Sequence, residues 1–333
     1  MNKVRFALIG AGFMGKFHGR TLASTVGAHL SVVVDVDETA AREVASWSDG
    51  CQVTSDVTTA LAMDVDAVVI VTPAQTHAAV IERAARAGKA VFCEKPIATT
   101  LEDAARIREV LEETGVPFQI GFQRRFDPGV ARLRTLVEEG ELGRIEVVRS
   151  VTCDPYGPDY EGMQRAAGIF HDTLSHDMDM ALAFGGPIAE VMTRGAAHLD
   201  PRFAELGKPD TTVISIQFES GALGVIENRL QSTFGYETVL EVSGSKGKGV
   251  VRDDQLDDLT LHRADRSERA FVPWFLERYA HAYREEIAAF VTALQAGERP
   301  ELGAEQGIDV LRACLAAERS YREGGAVALR DVT

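Results

Sequence analysis

The sequence predicts an α/β protein: an N-terminal doubly wound parallel sheet, then an α+β domain with a large, open, mostly antiparallel sheet. Three observations predict it. The apolar run Val4–Ile9 ends in Gly10-Ala11-Gly12-Phe13-Met14-Gly15 and passes straight into a helix-forming stretch. Strand-like and helix-like segments then alternate as far as Gly121. From Ala189 onward, strand-like runs follow one another with only turn signals between them. Alternation implies βαβ units with both sheet faces covered, and successive strands imply antiparallel pairing.

The first strand and its loop carry the strongest signal. In strand–turn–helix context, Gly10 permits the tight turn, Gly12 lets the backbone approach a pyrophosphate, and Gly15 lets the helix pack near the strand. The helix start offers free N–H groups and a positive dipole end to a diphosphate. This is the Rossmann fingerprint; a glycine-rich turn without a ligand is the plainer alternative. The second strand, Leu30–Asp35, ends in an acid twenty residues after Gly15, the place of a ribose-binding carboxylate. Asp35, reinforced by Asp37, would repel a 2′-phosphate, so NAD is expected over NADP. The alternative is an Asp35 that caps the next helix.

Helices are expected over Thr39–Trp47 and Asp56–Ala62, and a buried strand over Ala67–Val71. The loop Thr72-Pro73-Ala74-Gln75-Thr76-His77 then sits at a strand's C-terminal end, where doubly wound sheets bind ligands. The helix His77–Ala87, the strand Ala90–Cys93 ending in Glu94-Lys95-Pro96, the helix Leu101–Thr114 and the strand Pro117–Gly121 complete the alternation. A dinucleotide-binding domain over 1–122 follows, with 123–333 as a substrate-binding and oligomerisation domain whose C-terminal helices pack back on the first.

In the second domain a helix, Pro128–Gly140, leads into a strand over Ile145–Val151, a loop over Asp154–Gly162, and a helix around Phe170–Phe184. Strands follow at 189–196, 211–218, 222–230, 238–243, 249–252 and 259–262, then helices over Phe275–Leu294 and Gly303–Glu323. A sheet face of that size needs covering, which predicts a homo-oligomer, dimer or tetramer, packed through it.

The 333 residues carry fifty Asp and Glu against thirty-five Lys and Arg, a net charge of −15 that argues against nucleic acid or anionic membranes as partners. No apolar stretch is long enough for a membrane span, and the first strand begins at residue 4, leaving no room for a signal peptide. Cys51, Cys93, Cys153 and Cys314 are far apart and read as reduced thiols of a cytoplasmic protein.

Two further stretches carry chemistry. Lys95, after a buried strand, would place an ammonium beside a nicotinamide, where it can polarise a hydroxyl or ketone oxygen; an ordinary surface lysine is the alternative. In Gly168-Ile169-Phe170-His171-Asp172-Thr173-Leu174-Ser175-His176-Asp177-Met178-Asp179, residues four apart on a helix differ by roughly 40° around the axis. Asp172, His176 and Asp179 would therefore share a face, and a histidine beside a carboxylate can act as a general base. His171 and His176 lie roughly 140° apart, which argues against chelation of one ion, so no metal is expected. A helix with a satisfied core histidine and solvated acids is the alternative.

The glycine loop, Glu94-Lys95-Pro96, Gly121-Phe122-Gln123-Arg124-Arg125-Phe126-Asp127, the 171–179 cluster, and Gly235-Tyr236 before Glu241–Gly247 together resemble the glucose–fructose oxidoreductase/inositol dehydrogenase family over essentially the whole chain. The resemblance implies catalytic Lys95, Asp172 and His176, with Pro96 in a cis peptide. It implies NAD contacts at Gly10, Gly12, Phe13, Met14, Gly15, Asp35, Val36, Thr72, Pro73, Thr76, His77, Glu94, Lys95 and Gln123. Substrate contacts are implied at Lys95, Gln123, Asp154, Asp172, His176, Asp179 and Tyr236. Gln123 and the loop Thr152–Tyr160 depart from the inositol dehydrogenase pattern, and both bear on the substrate. The implied activity is NAD-dependent oxidation of a secondary hydroxyl of a cyclic polyol, an inositol to an inosose. The alternatives are a pyranose, anhydrosugar or keto-inositol enzyme with the same triad, and a non-catalytic NAD-binding sensor.

Overall fold

The computed structural model describes residues 3–252 and 255–332. The chain forms two compact units, Met1–Gln123 with Tyr283–Leu311, and Arg124–Ala282 with Arg312–Thr333. Residues 283–311, assigned by sequence to the second domain's span, are thus part of the first unit. The reason is apolar packing: Ile287, Phe290 and Val291 join Phe6, Leu8, Val69 and Phe92 in one core.

The first unit is built on a parallel sheet of β1 (Val4–Ile9), β2 (Ala28–Val34), β3 (Gln52–Thr54), β4 (Ala67–Ile70), β5 (Ala90–Glu94) and β6 (Phe118–Gly121), in the order β3-β2-β1-β4-β5-β6. The helices α1 (Phe13–Ser24), α2 (Glu38–Ala45), α3 (Val57–Ala62), α4 (His77–Arg86) and α5 (Leu101–Thr114) alternate with the strands. β4 and β5 are buried throughout, as their unbroken apolar runs require. Strand order reverses between β1 and β4, so the loops after these two strands form the topological switch point. β3 is an edge strand of three residues, too short for the sequence to show alternation.

In the second unit come α6 (Pro128–Glu138), β7 (Ile145–Cys153), α7 (Tyr160–Arg165), α8 (Leu174–Gly185), β8 (Ile188–Ala196), β9 (Thr211–Phe218), β10 (Leu223–Arg229), β11 (Glu237–Gly244) and β12 (Lys248–Arg252). A small hairpin, β13 (Leu261–His262) with β14 (Ser267–Glu268), precedes α9 (Phe275–Arg278); α10 (Ala280–Ala296) belongs to the first unit from Tyr283 on, α11 (Ala304–Glu323) returns to the second at Arg312, and β15 (Ala326–Ala328) follows it there. The seven-stranded order is β12-β11-β7-β10-β9-β8-β15, antiparallel except for β7 with β10. α8 packs on one face of this sheet. The other leaves Val147, Met192, Val213, Leu223 and Val250 exposed.

Two local expectations change. The loop expected over 154–162 contains the start of α7, because the Asp159 carboxylate accepts the Gly162 N–H and caps it. The helix expected from about Phe170 begins at Leu174. Gly168, at φ +87°, opens a turn in which its carbonyl accepts from His171 and Asp172 and the Ile169 carbonyl accepts from Leu174. Asp172 therefore precedes the helix, and the four-residue spacing does not set its relation to His176.

Candidate active site

In the first unit the three motif glycines have distinct jobs. Gly10 sits at φ +107°, and a Cβ there would lie 2.8 Å from the Val71 carbonyl oxygen. A Cβ at Gly15 would collide with the Gly10 carbonyl. At Gly12 a Cβ would meet nothing within 4 Å, so the start of α1 is open on that side. Open space over a helix N-terminus is what a diphosphate needs, and the loop fits one.

Asp35 directly follows β2. Its Oδ2 accepts the Ala11 N–H at 2.5 Å and its Oδ1 the Asp37 N–H at 2.8 Å. The cap of α2 is Asp37, which accepts from Thr39 and Ala40, so capping does not explain Asp35. Beside these, Phe13 is 55% and Val36 92% exposed, apolar surfaces at the positions expected to meet the dinucleotide.

After β4, the hydroxyls of Thr72 and Thr76 bond each other at 2.7 Å, and Thr76 also donates to the Pro73 carbonyl. His77 is buried, with Nδ1 2.8 Å from the Pro96 carbonyl oxygen and Nε2 2.9 Å from that of Thr72. Both ring nitrogens of this expected NAD contact thus face backbone carbonyls, and the neutral ring has one N–H to donate to either. Burial pushes its pKa below 6.5, against the pull of both carbonyls and of Glu94. Beyond β5, the Lys95–Pro96 bond is cis, as the resemblance implied. Glu94 and Gln123 are buried, and Gln123 opens a 3₁₀ turn over Gln123–Phe126.

In the second unit His176 occupies the first turn of α8, with Asp172 just ahead of it; the Asp172 carbonyl accepts the Ser175 hydroxyl. The next residue, Asp177, is fully buried and was not singled out by sequence. Its Oδ1 accepts from Ser150 at 2.5 Å, Thr152 at 2.9 Å and Arg124 at 3.1 Å, and its Oδ2 from Asn228 at 2.8 Å. This hub ties α8 to β7 and β10. The one signal available was Ser150 and Thr152, small polar residues two apart that share a face of the strand with Val148, and it names no partner.

Tyr236 is buried, its hydroxyl at 3.5 Å from Arg124 Nη2. Burial pushes its phenol well above 10; Arg124 opposes this, and Tyr279, Asp154 and Asp177 add to it. Asp154 follows β7, its backbone bonded to Arg229 and Ser232. Asp179 is buried and held by Arg125, Nε to Oδ2 at 2.8 Å and Nη2 to Oδ1 at 2.7 Å. His171 is bonded to Glu318 at 3.0 Å. Among the described residues no group of three or more His, Cys, Asp or Glu could hold a metal ion, and no helix is long and apolar enough to cross a membrane.

Residues 4–122 match the model for the oxidoreductase family, NAD-binding Rossmann fold, and residues 130–250 match the GFO/IDH/MocA C-terminal domain. The chain is 35% identical over 322 residues to inositol 2-dehydrogenase of Rhizobium meliloti, covering 96% of this chain and 97% of that one. It is 33% identical over 337 residues to the scyllo-inositol 2-dehydrogenase (NAD(+)) of Bacillus subtilis, covering 98% and 97%. A solved scyllo-inositol dehydrogenase from Lactobacillus casei, with bound NAD(H) and scyllo-inositol, superposes with a TM-score of 0.93 at 27% identity, over 99% of this chain and 100% of that one. With its glycine loop, Asp35 and mixed sheet in place, the chain belongs to the GFO/IDH/MocA family of NAD-binding oxidoreductases.

Proposed function

We propose that the protein oxidises a secondary hydroxyl of a cyclic polyol of the inositol class to the ketone, using NAD. The observation that carries the chemistry is the first turn of α8, where His176 follows Asp172 and is anchored at the next residue by the Asp177 hub. The names of the relatives support the substrate class.

Gly10, Gly12, Phe13, Met14, Gly15, Asp35, Val36, Thr72, Pro73, Thr76, Glu94, Lys95 and Gln123 hold the dinucleotide in this reading, with His77 supporting them from beneath. When bound, NAD⁺ supplies a hydride acceptor. His176 takes the proton of the substrate hydroxyl, and Asp172 stabilises the imidazolium so formed. Lys95 holds the reacting oxygen and offsets its developing negative charge. Gln123, Asp154, Asp179 and Tyr236 are assigned to the remaining hydroxyls. Such a set of neutral donors and carboxylates suits a neutral polyol and disfavours an anionic one.

The uncovered sheet face supports a homo-oligomer in which a second copy covers Val147, Val213, Leu223 and Val250. A monomeric mass by light scattering would sink that assignment. The four cysteines, none of them in a disulfide among the described residues, fit a cytoplasmic protein.

The function is tested by following NAD⁺ reduction across a panel of inositols and common sugars, with Lys95→Ala alongside. Turnover of an inositol, abolished in the variant, supports the reading. Turnover of a pyranose would replace the substrate and keep the mechanism, whereas NAD binding without turnover in either direction would point to a sensor.

A further inference from the structure

Two buried histidines grip the Glu94-Lys95-Pro96 turn from opposite sides in sequence. His18, from α1, is fully buried, and its Nε2 lies 2.6 Å from Glu94 Oε1. The other carboxylate oxygen, Oε2, accepts the backbone N–H of Lys95 at 3.1 Å. The rings of Phe17, Phe92 and Tyr283 surround His18, and its Nδ1 has no hydrogen-bond partner among the described residues. That places the proton on Nε2, donated to Glu94, since an N–H on the other side would go unanswered. On the far side of the lysine, the buried His77 ring sits between two carbonyl oxygens, Nδ1 2.8 Å from that of Pro96 and Nε2 2.9 Å from that of Thr72, and in its neutral form it has one N–H to donate to either.

We infer that His18 and His77 are positioning residues for Lys95, fixing the backbone on both sides of it through the Glu94 carboxylate and the Pro96 carbonyl. This rests on the reading of Lys95 as the group that holds the reacting oxygen. A lysine ammonium rides on four flexible carbons, so its reach is only as well defined as its backbone anchor. An apolar side chain would fill the aromatic surround of residue 18 without the cost of burying an imidazole. The histidine's contribution there is its hydrogen bond. His77 adds a second link, because its ring lies within hydrogen-bond distance of both the Pro96 carbonyl and the loop after β4.

The test compares wild type, His18→Leu, His18→Gln, His77→Gln, Glu94→Gln and Lys95→Ala, reading kcat, the NAD dissociation constant and melting temperature with the best substrate of the panel. His18→Leu is expected to lower kcat roughly ten- to a hundredfold, the cost of a misplaced group, with NAD binding unchanged. His18→Gln, whose amide N–H can still reach Glu94, restores most of it. Glu94→Gln, which presents an amide to the Lys95 N–H, gives a comparable loss, and adding His18→Leu to it gives no further loss. His77→Gln lowers kcat and weakens NAD binding together, because the ring lies against Thr72 as well as Pro96.

Unchanged kcat in His18→Leu, or losses that multiply in the double variant, would overturn the brace. Should His18→Leu fail to fold, unchanged kcat in Glu94→Gln would overturn it equally. Turnover retained in Lys95→Ala would sink the lysine assignment itself, and is distinct from loss in Lys95→Ala beside unaffected histidine variants, which sinks the brace alone.

Discussion

Arg125 holds Asp179 fork to fork, Nε on Oδ2 at 2.8 Å and Nη2 on Oδ1 at 2.7 Å, with the carboxylate all but excluded from solvent. Planar bidentate geometry of this kind is the strong form of an ion pair. Removing one member leaves the other charge buried, and that penalty exceeds what the pair gains by forming. Arg125→Ala is therefore expected to lower stability by about 3 kcal/mol in urea unfolding. Arg125→Lys, which keeps the charge and loses the fork, should recover only part of it.

Asp35 bonds the Ala11 N–H of the glycine loop, and in the proposed function its negative charge opposes an adenosine 2′-phosphate. Asp35→Asn removes the charge. Steady-state kinetics with both cofactors should show the NAD/NADP ratio of kcat/KM falling by roughly tenfold or more, equivalent to about 1.4 kcal/mol.

His77 makes stability depend on pH. Burial holds its folded pKa below 6.5, so the unfolded chain binds this proton first as pH falls. The stabilisation is complete above about 6.5 and is lost as pH drops through 6.5 towards the folded value. Urea midpoints of the wild type should fall across that window more steeply than those of His77→Gln, which has nothing to titrate there.

The thiols are held in the protonated form by burial, which pushes Cys51 up to about 11, Cys153 up to about 12 and Cys93 well above 9. The thiolate is the reactive species. These three should react with an aromatic disulfide reagent at pH 8 far more slowly in the folded protein than after denaturation, with release followed by absorbance.

Much of the fold was legible because its signals are local. Val4–Ile9 with its glycines, the buried runs at β4 and β5, and each strand of the series from β8 to β12 declare themselves within a dozen residues. β3 and β15 did not, since three residues show no period. The start of α8 was misplaced because no Gly or Pro lies between Phe170 and Leu174 to mark it, and the turn opened by Gly168 delays the helix. At the site, residue types such as Lys95, Asp172 and His176 could be picked out, but partners distant in sequence could not. Nothing near Asp177 announces Ser150, Thr152 or Asn228, and nothing near Glu94 announces His18. Such pairs exist only once the strands are in register.

The first unit is completed by Tyr283–Leu311, a segment separated from its other piece by 159 residues. During synthesis, a ribosome that has released the first 123 residues has not yet supplied Phe290, whose ring meets Phe6 at 6.2 Å and Phe92 at 5.9 Å. The nascent nucleotide-binding sheet must wait with that apolar face uncovered while the whole intervening unit is translated. Chaperone dependence of this protein should therefore concentrate in that interval, and a chain truncated before Tyr283 should aggregate rather than yield a small independent NAD-binding module.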